Sequence, residues 1–415
     1  MKKIANLLLI LFPLTAILGI ATTLLAPVWP DNPFTTVQPL VFGLGLLLAL
    51  IIYFGFAFNQ LLPKLIFIPL LGYLFWGLLN FWPLEFLTGH SYQLYAFIGQ
   101  LLLGLLLLQT NRFINKKSWL LVTSQFVGDR FSGRNLFRFC LINIPLLPIL
   151  FMLLGYSATS SLIEQQTAGF VRLQPNGLYM VEKVYTRGKK TIHLTGMIHL
   201  GQQEYYDSLS ASLAGKPLLV LAEGVSDRDG LLTGKFGYGK IATLIGLTSQ
   251  EKMLLNGRQI TAERLDQINS LTNDSTDILR ADIDINQFDA HTIAVLNALG
   301  KYILNSESLI EGYQRFNQWA LENMREDSNR LIMSDLVDKR NAAVLGYLPK
   351  ALAKYDLIVI PWGALHMPGI ETAIKGDGFA LLESNERLSI DFLLLPYERL
   401  WEHLIGYTED RVSSD

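Results

Sequence analysis

The chain has 415 residues, half of them hydrophobic, with 34 Lys and Arg against 36 Asp and Glu and a formal charge of −2. That length allows more than one domain, and the near-neutral balance excludes a broad basic surface for nucleic acid. A single cysteine, Cys140, excludes a disulfide framework and a CxxC metal site, leaving His, Asp and Glu as candidate ligands.

The apolar excess lies in residues 1–156, expected to be a transmembrane domain of five helices. Runs 4–26, 37–58, 65–82, 92–108 and 139–156 are each long enough to cross a hydrocarbon core about 30 Å thick. Lys2 and Lys3 could open a signal peptide, but the first run is long for one and no small-x-small cleavage site follows, so a retained helix is expected. Bases alternate between loops. Lys2 and Lys3 precede the first run, Lys64 lies after the second, and the fourth loop carries Arg112, Lys116, Lys117, Arg130, Arg134 and Arg138. The loop at 27–36 has Asp31 and the loop at 83–91 has Glu85 and His90, with no Lys or Arg in either. By the positive-inside rule the N-terminus is cytoplasmic, in a plasma (inner) membrane, and the chain beyond residue 156 is extracytoplasmic. Trp119–Val122 and Phe126-Val127, flanked by bases, read either as an interfacial helix or as a solvated basic loop. No run carries a charge at mid-depth, and Asn80, Gln100 and Asn143 make no pathway, so this half reads as an anchor in the lipid bilayer.

Residues 157–176 read as a small-residue linker, 177–396 as an α/β domain, and 397–415 as a C-terminal helix and tail. The fold expected is a multi-pass α-helical membrane domain followed by an α/β domain, a sheet flanked by helices. Strands at 178–185 and 190–194 form a hairpin about Arg187-Gly188. Helix 202–214 and strand 218–221 follow, then helical spacing over 238–267 and a short alternating strand at 281–288. Helices at 292–305, 309–319 and 328–353, strand 356–361, helix 369–375 and closing strands at 379–382 and 388–394 complete the domain.

Parallel sheets carry chemistry at the carboxyl ends of their strands. One strand here runs into Gly196-Met197-Ile198-His199, the next into Glu223-Gly224, and a late one into Gly363-Ala364-Leu365-His366. Two histidines and a glutamate on neighbouring strand ends could hold a metal. A glycine three residues before each histidine would let the chain turn tightly off the strand. The alternative is a pair of satisfied histidines capping turns. His193, in mid-strand, reads as structural. Glu223 ends an apolar run, where a carboxylate is ionised only beside a cation or donors. It reads as a ligand, a general base, or the partner of an ordinary salt bridge to Arg340. Asp282 and Asp284 share a strand face and either complete the site or cap the next helix. Arg340, next to Asn341, could hold a carboxylate or an oxyanion, or belong to a surface network.

In order and spacing, GMIH, LAEG, ADIDI, KRNAAV, WGALHMPGI and GDGF resemble the TraB/TIKI/PrgY family, related to ChaN-like and erythromycin-esterase-like proteins, over residues 177–394. The resemblance implies a ChaN/erythromycin-esterase-like α/β sheet and a membrane-tethered, metal-dependent hydrolase of peptides or proteins using manganese- or cobalt-like ions. It implies Glu223 and Arg340 as catalytic residues, and His199, His366 and Glu223 around the metal, to which the reading of the residues adds Asp282. Gly196, Gly363 and Asn341 support them. It equally admits a non-catalytic protein that binds a pheromone-like peptide or haem. No HExxH is present, so the common zinc-protease mechanism does not transfer.

Overall fold

The computed structural model describes residues 1–29, 32–58, 62–79, 92–115, 118–126, 131–233, 246–250, 253, 256–267, 276–306 and 309–398. The chain divides into two compact units, Met1–Thr159 and Ser160–Asp415.

In the first unit, α1 (Lys2–Leu25), α2 (Phe34–Phe58), α4 (Tyr92–Ile114) and α5 (Gly133–Gln166) are long and apolar enough to cross a membrane. The third run forms the shorter apolar helix α3 (Lys64–Leu79), and its last residues, with Glu85, His90, Lys116, Lys117 and Arg130, lie outside the described residues. Between apolar helices the hydrophobic effect offers little, so close packing and side-chain hydrogen bonds must hold them together. Gly104 of α4 lies against α1, where an added methyl would come within 3.1 Å of Pro13. One turn away Gln100 donates to the Phe12 carbonyl at 2.8 Å and to Thr15 Oγ1 at 3.0 Å. Asn143 accepts from the Tyr53 hydroxyl. Among the described residues of the loop before α5 there is one 3₁₀ turn, Thr123–Phe126, where an interfacial helix was one of two expectations. Asn6 holds this loop by bonding both backbone groups of Leu121, whose side chain is buried among the helices.

The second unit is built on a mixed sheet of eight described strands. β1 (Val171–Gln174), β2 (Gly177–Arg187) and β3 (Lys190–Met197) open it, the last two forming the expected hairpin. A small pair, β4 (Leu200–Gly201) with β6 (Thr248–Ser249), flanks helix α6 (Gln203–Leu213) and strand β5 (Leu219–Ala222). Then come β7 (Arg258–Ile260), α7 (Ala262–Gln267), β8 (Asp277–Arg280), α8 (Ala290–Leu299), α9 (Leu309–Asn323), α10 (Ser328–Met333), α11 (Lys339–Lys354), β9 (Leu357–Gly363), α12 (Met367–Gly376) and β10 (Ala380–Asp391). Sheet order is β10-β2-β3-β9-β5-β8-β7, with β1 beside the first residues of β2. Strands β3, β9, β5, β8 and β7 run parallel. The central strands β9 and β5 are short, apolar and covered, as parallel strands are, and Leu194, Leu219, Leu221, Ile358, Ile360 and Trp362 are all buried in the main core.

Several expected elements are displaced, each for a local reason. The expected linker is partly ordered: α5 continues to Gln166, a turn through Ala168 and Gly169 at positive φ follows, and β1 pairs with β2. The closing strands are one strand, β10, whose polar middle Glu383–Arg387 looked like a loop because this edge strand is exposed on its outer part. Within the expected helix at 238–267, residues 238–245, 251–252 and 254–255 lie outside the described set. The described remainder forms β6, β7 and only a short helix, α7. The strand expected at 281–288 is not formed; β8 lies just before it and stops at Arg280, because beyond it Asp282 and Asp284 bond the backbone: Asp282 accepts from Gly224 N and Ile283 N, and Asp284 caps a 3₁₀ turn. Two expected helices carry π turns, at Gly300–Leu304 and Ser334–Asp338; the second joins α10 to α11.

Asp277, at the start of β8, is 1% exposed and accepts Arg258 Nε at 2.8 Å, Arg258 Nη2 at 2.9 Å and the Tyr355 hydroxyl at 2.5 Å. This network ties β7, β8 and the end of α11 together. Asp277→Ala removes charge-assisted bonds and leaves a buried hydroxyl unmatched, so we expect a loss of about 2–4 kcal/mol. Thermal unfolding of the detergent-solubilised chain measures it, with Asp277→Asn falling between the variant and the parent.

Candidate functional site

The strand order β3-β9-β5-β8 sets four parallel carboxyl ends side by side, and each delivers a polar residue just beyond its last paired position. These are His199 after β3, His366 after β9, Glu223 after β5 and Asp282 after β8. His199 and Glu223 reach one rim as expected, but β9 lies between their strands, so the late GxxH stands at the centre of the row. Met197 is in register with Gly363, and Ala364 N–H bonds the Met197 carbonyl at 3.0 Å, so the two GxxH segments leave the sheet together.

The glycines act through room rather than through left-handed backbone, since neither Gly196 nor Gly363 has positive φ. A methyl at Gly196 would lie 3.1 Å from the Phe170 carbonyl oxygen. Gly363 donates its N–H to Glu223 Oε2 at 2.7 Å. Gly224, following Glu223, does need an unusual backbone, with φ at +153°.

The centre of the cluster is Arg340, on the first turn of α11. Its Nη2 donates to Glu223 Oε1 and to Asp282 Oδ2, both at 2.7 Å, and its Nε to Asp282 Oδ1 at 3.1 Å. Its Nη1 reaches His366 Nε2 at 3.2 Å and the Leu336 carbonyl at 3.4 Å. All five N–H groups of the fork therefore have acceptors. Burial opposes the charge on Arg340, but Asp282 and Glu223 outweigh it and raise its pKa above the ordinary arginine value. The salt bridge between Glu223 and Arg340, the alternative to a ligand role for Glu223, is present, and Arg340 belongs to the site rather than to a surface network. Asp284 does not join it; its carboxylate accepts from Ser226 Oγ at 2.6 Å, which holds its pKa low.

His366 is 5% exposed and sits behind the arginine. Its Nδ1 is 2.8 Å from Asn341 Oδ1, while Asn341 Nδ2 donates to the His366 carbonyl at 3.3 Å. Asn341 thus presents its oxygen to the ring, so Nδ1 carries the proton and Nε2 is the bare nitrogen accepting from Arg340. Burial pushes the pKa of His366 down to about 4, with Arg340 adding to the shift and Glu223 and Asp282 opposing it. The Trp362 ring meets the imidazole edge-on at 5.1 Å, and its Nε1 donates to the Leu221 carbonyl at 2.8 Å. Neither Trp362 nor Gly369 stands out in the sequence as a site residue. Yet a methyl on Gly369 would fall 2.5 Å from Asn341 Nδ2, so this glycine admits the amide that orients His366. Its signal was its place in the apolar-proline-glycine turn just after GxxH. His193 stays apart, paired with Glu182 Oε1 at 2.8 Å.

Above the cluster opens a cavity of about 550 Å³. His199, which is exposed, Glu223 and Arg340 line it, together with the apolar Leu232, Ile285, Phe288, Leu296 and Leu336. Asp282 and His366 are not among its lining residues. The size and mixed lining are those of a small-ligand site.

The expected metal ligands do not fit an ion in this arrangement. Glu223 Oε1 and His366 Nε2, 3.6 Å apart, could share a cation, but Arg340 already donates to both atoms and to Asp282. A divalent ion there would stand against a guanidinium. Among the described residues, no group of three or more His, Cys, Asp and Glu is placed to hold a metal. No family model, curated protein or solved structure matches this chain.

Two measurements follow. Arg340→Met leaves two buried carboxylates facing each other, and we expect it to cost about 3–5 kcal/mol in thermal unfolding, with Arg340→Lys recovering part. The His366 pKa, lowered from 6.5 to about 4, makes the unfolded chain the better proton binder between those values, so stability falls as pH drops through this window. The loss is complete near pH 4 and on the order of 3 kcal/mol. His366→Asn should flatten the midpoint-versus-pH curve between pH 6.5 and 4 relative to the parent.

Proposed function

We propose that the chain is a membrane-anchored hydrolase of amide bonds, a peptidase, whose α/β unit works outside the cytoplasm. The observation that supports it most is that His199, Glu223 and Arg340 line one cavity together with apolar side chains. The alternation of loop charges supports the orientation, with a cytoplasmic N-terminus in a plasma membrane. The likeness of GMIH, LAEG and WGALHMPGI to the TraB/TIKI/PrgY motifs supports the reaction class.

The roles follow from what each group has left to give. Glu223 accepts one bond at each oxygen, from Arg340 and from Gly363 N, and keeps further lone pairs on the cavity side for a water. Arg340 and the Gly363 amide fix the position of this carboxylate, so it orients and polarises the attacking water. His199, exposed on the same cavity, takes the proton and returns it to the leaving nitrogen. Arg340 has no spare N–H, so it steadies developing charge through its field and holds the carboxylate rather than by a new bond. His366, neutral at pH 7, positions Arg340. No step passes through a metal.

The test uses the full-length protein in nanodiscs with a mixed library of quenched-fluorescence peptides. We expect turnover that survives chelation, with His199→Ala and Glu223→Gln each lowering kcat by about 10²–10⁴. His199→Ala should leave the unfolding midpoint in place, because the side chain is exposed. Loss of activity on chelation with recovery in manganese or cobalt would refute the metal-free assignment. Saturable peptide or haem binding with no turnover would replace the hydrolase with a binding protein.

A further inference from the structure

Strand β10 forms one edge of the sheet. It pairs with β2 on one side, and among the described residues no strand pairs with its other side. Every residue from Ala380 to Glu386 is exposed, Leu382 at 65%. The alternation of an antiparallel ladder identifies the outward backbone groups. Val181 N–H bonds the Phe170 carbonyl, on the β1 side of β2, and Phe392 N–H bonds the Asn176 carbonyl, on the β10 side. The even-numbered residues of β2 therefore bond β10. Of these, Met180, Glu182 and Val184 stand opposite Arg387, Asn385 and Glu383. Those three turn their backbone groups inward, and Ser384 and Glu386 turn theirs outward.

An open edge is a template for a further strand, and edges are commonly blocked by lysine, proline or bulges. β10 contains neither Lys nor Pro. Its two register shifts fall at Leu382 and Ser389 and leave Glu383–Leu388 regular between them. The Ser389 carbonyl accepts from Gln202 N–H at 2.8 Å, so the open stretch ends there. Its charges complement the strand itself. A twofold axis relating two antiparallel copies sets one residue against its own copy. With the axis at Glu383, Glu386 or Arg387, a charge faces its like; at Ser384, Glu383 faces only Asn385. With the axis at Asn385, Glu383 faces Arg387 of the second copy and Ser384 faces Glu386. Opposite charges across an antiparallel pair stabilise it and like charges destabilise it. Arg387 keeps 26% of its side chain exposed, and Glu386 is met within its own copy by Arg172 and Gln174.

We propose that β10 is a self-pairing edge, through which two copies of this chain join their sheets antiparallel about Asn385. Ser384 exchanges backbone bonds with Glu386 of the second copy, and Glu386 with Ser384. Leu382 comes opposite Leu388 at each end of the ladder, next to the Ser389 carbonyl that Gln202 already occupies. A two-stranded ladder this short is weak in free solution. Four helices long and apolar enough to cross a membrane confine both copies to one bilayer, which raises their effective concentration. This pairing does not depend on the hydrolase reading.

The experiment uses the full chain carrying Cys140→Ser, which removes its one cysteine, reconstituted in liposomes and oxidised with copper phenanthroline. Asn385→Cys in that background should give a disulfide-linked dimer, because the pair on the axis is not hydrogen-bonded and its Cα atoms lie about 4.5 Å apart. Glu383→Cys should give none, since its two copies are about 14 Å apart along the strands. Ser384→Pro removes an outward N–H that the pairing with β2 does not use. Added to Asn385→Cys, it should cut the cross-linked fraction about tenfold and leave the unfolding midpoint in place. Glu383→Lys, also exposed, should cut it about 3- to 10-fold. Absence of the Asn385→Cys dimer overturns the proposal. So does cross-linking at residue 383 equal to that at 385, or a dimer that Ser384→Pro leaves intact. The same oxidation on native membranes tests the occupant: a cross-link to a different protein in place of the self-dimer overturns the second copy.

Discussion

A guanidinium held between two buried carboxylates organises the α/β unit. Arg340 meets Glu223 and Asp282 at 2.7 Å and His366 at 3.2 Å, and these three residues follow three different parallel strands. Carboxylates 0% and 6% exposed would repel each other without a cation, so the strand ends can converge only with the arginine in place. The rest of the site is arranged around that requirement. Asn341, one residue along α11, orients the imidazole; Gly369 makes room for Asn341; the Gly363 amide takes the second oxygen of Glu223.

The same ion cluster settles what the histidines can do. Burial and the neighbouring guanidinium keep His366 neutral, a supporting acceptor behind the site. His199 lies exposed on the cavity and has the access to solvent that proton transfer needs. Two motifs of the same Gly-x-x-His pattern thus have different environments. The difference comes from strand position: β9 is central in the row and packs against α11, whereas His199 leaves β3 beside the small β4–β6 pair.

In the apolar unit, physics of another kind applies. Gln100 and Asn143 looked too few for a transport pathway, and they serve as interhelical ties, one bonding the Phe12 carbonyl near Pro13 and the other the Tyr53 hydroxyl. Proline in a helix costs a backbone bond, and an amide from a neighbouring helix bonding nearby suits a bundle whose packing relies on small residues and a few polar contacts.

Much of this was legible in one dimension. Length and unbroken apolarity mark membrane-crossing helices because the hydrocarbon core tolerates no charge, and four of the expected runs have that length as helices. Apolar strands ending in Gly-x-x-His and Glu-Gly mark strand ends because parallel sheets expose only those ends. Partner choice was not legible. Whether Glu223 met a metal or Arg340 depended on where residue 340 falls on α11, and the π turn at Ser334–Asp338 sets that. The stop of β8 before Asp282 depended on the Gly224 amide, 58 residues away in sequence. The apolar lining of Leu232, Phe288 and Leu336 beside Glu223 and Arg340 exists only once distant segments surround one cavity. Local pattern carries periodicity and turn chemistry, both short-range. Charge pairing and burial are long-range, and the fold alone decides them.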